Sequence, residues 1–219
     1  MAASSRETDN SRTRLLAATI DLVRANGYAA TRVEDVCAAA GVTKGSFFHH
    51  FPSKEELAIA AARQWDERAS HLFALASYQR EPESLDRLLG YLAFRKELLA
   101  GDIWEWSCYA GTTIQEVHET HPAIRDACAA SIDHHLLFLR AMIDDVLREH
   151  RAPGIDAESL SVHIQAVIQG AFIMAKARQD RQAAVDSLEH LNRYVEMLFA
   201  RSTSTRAARK RPPSRKTSR

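Results

Sequence analysis

AAAGVTKGSFFHHFPSKEEL, residues 38–57, holds three helix-boundary signals within twenty residues. Gly41 can take the left-handed backbone that ends one helix and turns the chain. Thr43 can cap a new helix over Lys44–His50, and Ser53 with Glu56 has the spacing of a capping box that opens the next. Just upstream, Thr31 and Glu34 share that capping-box spacing and introduce VEDVCAAA, residues 33–40. Two short helices around a glycine turn, Val33–His50, form a helix-turn-helix. Val36, Ala40, Val42 and Phe47 can meet inside its angle. Thr43, Lys44, Gly45, Ser46 and His49 are left at the open end of the second helix. A helix N-terminus carrying a cation, hydroxyls and a glycine suits contact with phosphates and base edges. Taken alone, the same spacing also fits a helical hairpin whose polar face is merely solvated.

Outward from this unit the chain is punctuated for helices throughout. Thr13–Ala25 carries Leu15, Leu16, Ile20, Leu22 and Val23 on one broad stripe and stops at Asn26–Gly27. A long helix follows Ser53 through Ala76. Further helices are predicted over Glu83–Leu99, Trp104–Thr120, Pro122–His150, from Ala157 behind a capping Asp156, and over Ala184–Ala200. With no sustained alternating pattern and only 8 Gly and 6 Pro in 219 residues, the fold class is all-α, with about nine helices. Four segments result. Residues 1–12 read as a disordered arm, 13–54 as the helix-turn-helix unit, 55–200 as a helical body and 201–219 as a disordered basic tail.

Charge divides the chain in the same way. The net +1 conceals eight Lys/Arg and no acid after residue 200, which leaves the first 200 residues at −7. Within them, residues 11–54 carry +3, so a mildly basic unit sits on an acidic body and is the part suited to a polyanion. No run of about 18 apolar residues predicts a membrane span, and the start lacks the apolar region of a signal peptide. Three cysteines, Cys37, Cys108 and Cys128, lie far apart without paired spacing. The expected setting is cytoplasmic, with reduced thiols.

The 49 residues TRLLAATIDLVRANGYAATRVEDVCAAAGVTKGSFFHHFPSKEELAIAA, Thr13–Ala61, resemble the DNA-binding domain of the TetR family of bacterial transcriptional regulators. The likeness includes the NGYAAT entry, the AAGVTKGSFFHHF turn and recognition helix, and PSKEEL. It implies a three-helix head on a helical ligand-binding and dimerisation body, acting as a repressor released by a small molecule. By position it implies DNA contacts at Thr31, Arg32, Thr43, Lys44, Gly45, Ser46, Phe47 and His49, and a phosphate contact at Lys54. One departure stands in the recognition helix, where the family most often has Tyr and this chain has Phe48. Without a hydroxyl, Phe48 is expected to pack, and His49 becomes the polar contact.

In the body, VHIQAVIQGAFIMAKA is apolar on nearly all sides, and Gly170 allows close approach. The expected homodimer face comprises Val167, Gly170, Met174, Leu188, Leu191, Val195 and Leu198, from two chains in a four-helix bundle. Aromatic residues with a few polar groups gather after Gly101, as suits a small, largely apolar effector. The pocket candidates are Trp104, Cys108, Tyr109, His134, Phe138 and His163. HETH, residues 118–121, is one residue short of the zinc-hydrolase spacing, and adjacent His134 and His135 diverge by about 100° on a helix. No metal, cofactor or enzymatic motif is therefore expected. An alternative is a thiol-based sensor of electrophiles or oxidants through Cys108. The partners expected are double-stranded operator DNA, a small-molecule effector and a second copy of the chain, with no membrane.

Overall fold

In the computed structural model the backbone is described for residues 2–150 and 152–209, and side chains for 10–150 and 152–199. Every regular element among them is helical: α1 Ala2–Asn26, α2 Val33–Ala40, α3 Lys44–His50, α4 Lys54–Ala74, α5 Ser84–Glu97, α6 Tyr109–Val117, α7 Pro122–His150, α8 Ala157–Arg178 and α9 Gln182–Arg209, with one 3-10 turn at Ser77–Arg80.

The boundaries follow the local chemistry of the sequence. Gly27 and Gly41 have φ of +89° and +62°, the left-handed turns expected after α1 and α2. Thr43, Ser53 and Asp156 each accept a hydrogen bond from the backbone N–H three residues on, at 3.2, 3.1 and 2.8 Å. At α2 the cap falls one residue later than expected. Arg32 is the N-cap, and the Asp35 carboxylate accepts from its N–H at 3.1 Å. The first helix begins at Ala2, within the segment 1–12 expected as an arm, and no Gly or Pro interrupts residues 2–26. Only Tyr109–Val117 of the helix expected from Trp104 is helical. Residues 101–106 turn instead, and Glu105 accepts from the Asp102 N–H at 2.6 Å. The last helix runs to Arg209, again without Gly or Pro, and the rest of the expected basic tail, 210–219, lies outside the described residues.

Two cores organise these helices. The first joins Leu15, Leu16, Ile20, Val36, Phe47 and Phe51 of the head to Leu57, Ala58, Ala61 and Ala62 of α4, and reaches Tyr109, Ile124 and Cys128 in the body. The second lies among α5, α7, α8 and α9, around Tyr91, Leu92, Leu139, Ile143, Ile164, Ile168 and Phe199. Thus α4 belongs to both halves: its first three turns are head core, and Phe73 near its end is body core. Among the described residues one helix, α8, is long and apolar enough to cross a membrane, and 44% of that window is buried inside the fold. It packs between α7 and α9, which accounts for its composition.

Candidate nucleic-acid interface and cavity

The seven residues of α3 divide by helical phase. Phe47 and Phe51 are one turn apart and face the core, Gly45 and His49 lie on the opposite face, and Lys44 and Phe48 share the flank between them. Phe47 is 0% exposed and Phe48 is 58% exposed. This exchanges the roles expected for the two rings: Phe47 is the packing residue and Phe48 the outward one. Around Phe48, the side chains of Thr43, Lys44 and His49 are exposed, and Ser46 is half-buried. A Cβ at Gly45 would find nothing nearer than Thr43 Oγ1 at 3.7 Å, so the absent side chain leaves this face open. Lys44 Nζ lies 2.5 Å from Glu34 Oε1 of α2. That hydrogen bond is the chief reason the Glu34 carboxyl titrates below the ordinary carboxylate range.

The other expected contacts are placed differently. Arg32 is exposed, with Nε 3.3 Å from Asp35. Thr31 is buried and donates its hydroxyl to the Gly27 carbonyl at 2.7 Å. Lys54 turns inward: its ammonium donates to the Tyr28 carbonyl at 2.7 Å and stands 4.1 Å from the centre of the Tyr28 ring. Burial lowers its pKa. Thr31 and Lys54 thus both hold the turn between α1 and α2.

Body residues seize that same turn. Both oxygens of Glu116, on α6, accept backbone N–H bonds from Tyr28 and Ala29 at 3.0 and 2.9 Å. Gly27 permits the approach, because a Cβ there would fall 2.3 Å from Glu116 Oε1. At the end of α1, Arg24 donates from Nε to the Ser107 carbonyl at 2.7 Å, pairs with Asp21 at 3.5 Å and lies 4.9 Å from the centre of the Trp65 ring. Lys176 of α8 donates to the Arg24 carbonyl at 3.2 Å and to Thr112 Oγ1 at 3.4 Å. Tyr109 donates its hydroxyl to Ala58 on α4 at 3.1 Å. Head and body are thus joined by charge-assisted bonds as well as by apolar contact.

A cavity of about 660 Å³ opens beside this seam, bounded by the second half of α4, α5, the loop before α6, α7 and α8. Phe73, Trp106, Phe172, Ile132 and Leu99 supply its apolar wall. The polar wall is short of partners. Gln64 Oε1, Trp106 Nε1, Gln165 Oε1 and Gln169 Nε2 are buried and have no hydrogen-bond partner among the described residues. A buried polar atom without a partner is unfavourable by about 1–3 kcal/mol, which a bound molecule can relieve. His135 also lines the cavity, and its ring lies 2.8 Å from the Tyr91 hydroxyl. Burial, then Arg95 and His134, hold its pKa down to about 3, so the imidazole is neutral at ordinary pH.

Of the six expected pocket residues, Cys108 lines the cavity. Its Sγ also caps α6, accepting from the Gly111 N–H at 3.3 Å. Trp104 instead borders a groove against α1 and α2. Tyr109 is in the head core, and Phe138 stands behind His135 with ring centres 5.9 Å apart. His134 is exposed and bonds Asp66 at 2.9 Å, and His163 meets the Tyr194 ring on the outer face of α8 and α9. The sequence reading missed Arg95, Gln165 and Gln169. Gln165 and Gln169 carried a signal: two amides one turn apart in an otherwise apolar helix.

On α8 and α9 the expected dimer residues divide. Leu188, Leu191 and Val195 are buried in their own chain's core. Met174 is exposed, and Val167, Gly170 and Leu198 are half-buried. Val162 and Ile173 on α8 and Tyr194 and Met197 on α9 complete an exposed apolar face.

Comparison with known proteins agrees with this architecture. A family described as bacterial regulatory proteins, tetR family, matches residues 15–61. A second, the transcriptional regulator LmrA/YxaF-like C-terminal domain, matches residues 85–188. The HTH-type transcriptional regulator CymR of Pseudomonas putida is 26% identical over 171 residues, covering 77% of this chain and 81% of that protein. The HTH-type transcriptional regulator LmrA of Bacillus subtilis is 25% identical over 174 residues, covering 76% and 86%. A TetR transcriptional regulator from Chloroflexus aurantiacus superposes with a TM-score of 0.76 at 27% identity, over 87% of this chain and 96% of that one. A TetR-family regulator from Agrobacterium tumefaciens shares the fold with a TM-score of 0.77 at 19% identity, over 85% and 98%.

Proposed function

The chain belongs to the TetR family of DNA-binding transcriptional regulators, and from that premise we propose a cytoplasmic, dimeric repressor released from its operator by a small molecule in the cavity. The observation that carries the reading is the shared helix: α4 is head core at one end and cavity wall at the other. A ligand that prefers a different tilt of α4 moves the head with it. A coupling of about 1–3 kcal/mol changes operator affinity roughly 5- to 150-fold.

Dimerisation follows from the need to read two half-sites, centred about 34 Å or slightly more apart. The exposed apolar residues of α8 and α9 are the surface for it. On DNA, Thr43, Ser46, Phe48 and His49 meet the major groove, while Lys44 and Arg32 meet phosphates. Phe48 can contact a thymine methyl. Lys44 must first leave Glu34. Gel-shift titration on a palindrome near its own gene, with light scattering for mass, tests the reading. A monomer that binds no palindrome would sink it.

A second reading has one supporting contact. Cys108 is on the cavity wall at the start of α6, and Arg24 bonds the carbonyl just before it. Alkylation of Cys108 would then release the operator. Cys128 is a poor second thiol, since burial pushes it up to about 12. If a Cys108→Ser variant keeps full ligand response, thiol chemistry is not the trigger.

A further inference from the structure

The ligand reading above leaves the chemistry of the molecule open. We infer that the cavity takes an amphipathic organic acid, whose carboxylate pairs with Arg95 and whose apolar, ring-bearing frame fills the wall formed by Phe73, Trp106 and Phe172. This rests on the ligand-response reading and names the class of ligand.

Arg95 is the charged group of the wall that the fold leaves unanswered. Its guanidinium carbon lies 5.3 Å from the centre of the Phe73 ring and 5.7 Å from that of Phe172. No carboxylate among the described residues pairs with it. The other ions of the wall are occupied or exposed. Arg24 holds Asp21 and the Ser107 carbonyl, Asp66 holds His134, and Glu105 receives the Asp102 N–H. Glu67 and Arg68 are exposed. The neutral imidazole of His135 neither repels the guanidinium nor competes with it for an anion.

The neutral groups add to the same demand. Trp106 Nε1 can only donate, and Gln169 Nε2 is a second buried donor without an acceptor. Gly111 leaves room for the Gln169 amide, because a Cβ there would come within 2.3 Å of Gln169 Oε1. A planar guanidinium is matched to a carboxylate by two parallel hydrogen bonds. An amine would be repelled by Arg95, and a wholly apolar ligand would bury all three donors unpaired. Gln64 and Gln165 present acceptor oxygens, so a hydroxyl elsewhere on the acid would be matched too. The volume lies within the range of about 300–1,000 Å³ that holds drug-sized molecules.

The test is calorimetric titration of the full chain with phenyl, naphthyl and medium-length alkyl frames, each presented as the acid, the primary amide and the primary amine. At least one frame is expected to bind as the acid about 10- to 100-fold more tightly than as the amide or amine. Arg95→Met should abolish that preference, and Arg95→Lys should restore part of it, with unliganded melting temperatures confirming both variants are folded. Equal or tighter binding of amides or amines overturns the inference. So does a preference that survives Arg95→Met, or no binding of any acid. Operator release is read separately by gel shift. An acid that binds in an Arg95-dependent way without releasing DNA leaves the ligand class standing and defeats the derepression reading. Release by neutral or cationic compounds alone does the reverse.

Discussion

Replacing Phe47 and Phe48 one at a time by Ala separates the two faces of the recognition helix. Phe47 is wholly buried, with the rings of Phe48 and Phe51 5.0 and 6.1 Å away, centre to centre. Its truncation removes a core side chain and leaves a cavity, at a cost of about 3–5 kcal/mol. Phe48 is more than half exposed. Its truncation loses an edge-to-face contact with Phe47 and some packing, about 1 kcal/mol. Urea denaturation followed by circular dichroism should therefore separate the variants by at least about 2 kcal/mol. Operator affinity should show the opposite order once folding is accounted for. Phe48→Ala stays folded and binds more weakly, while Phe47→Leu, which keeps most of the volume, binds nearly as well as the parent. If Phe48→Ala is as destabilised as Phe47→Ala, the assignment of inner and outer faces is wrong, and with it the choice of groove contacts.

Other substitutions probe the rest of the account. Lys44→Ala should weaken binding to all DNA sequences and lower the slope of log affinity against log salt by about one unit. Glu34→Gln should do the reverse to affinity, since it releases Lys44 and removes a carboxylate from the phosphate-facing side. Unchanged binding in a salt series would count against either role. Glu116→Ala deletes two bonds to the turn between α1 and α2. Both are near solvent, so a loss of about 1–2 kcal/mol in head stability is expected, visible as faster hydrogen exchange at Tyr28 and Ala29. His135 gives a pH signature. Its folded pKa lies below the unfolded value, so the unfolded chain takes up the proton first, and stability falls as pH drops from about 6.5 toward 3. The slope from this residue is at most about 1.4 kcal/mol per pH unit, and it should vanish in His135→Asn. An identical acid limb in that variant would show that His135 is not buried as described.

Much of this was legible in the sequence because it is decided locally. Gly41, Thr43, Ser53, Pro122 and Asp156 act within a few residues of themselves, so the helix-turn-helix and the boundaries of α7 and α8 could be read directly. The phase of α3 was also present, in the one-turn spacing of Phe47 and Phe51, but a likeness to known DNA contacts drew Phe47 to the wrong face. The outer face of α8 and α9 was harder. Leu188, Leu191 and Val195 have the same spacing as an intermolecular seam, and only the packing of α9 on α5 and α8 shows that they face inward. The cavity was hidden for a related reason. Its wall is assembled from six separate segments of the chain, and Arg95 on a helix reads as a solvated charge until the rings of Phe73 and Phe172 are found beside it. Trp104 and Trp106 differ by two positions in a turn-rich loop, where no period predicts which one points inward.

The account turns on whether a molecule in the cavity controls the head. Fluorescence anisotropy of labelled operator DNA, titrated with the full chain at fixed salt, with and without a saturating acid identified by calorimetry, tests this most directly. The account predicts two chains per palindrome, a Kd raised roughly 5- to 150-fold by the acid, and no such shift in Arg95→Met. The same Kd with and without a ligand proven to occupy the cavity would contradict it.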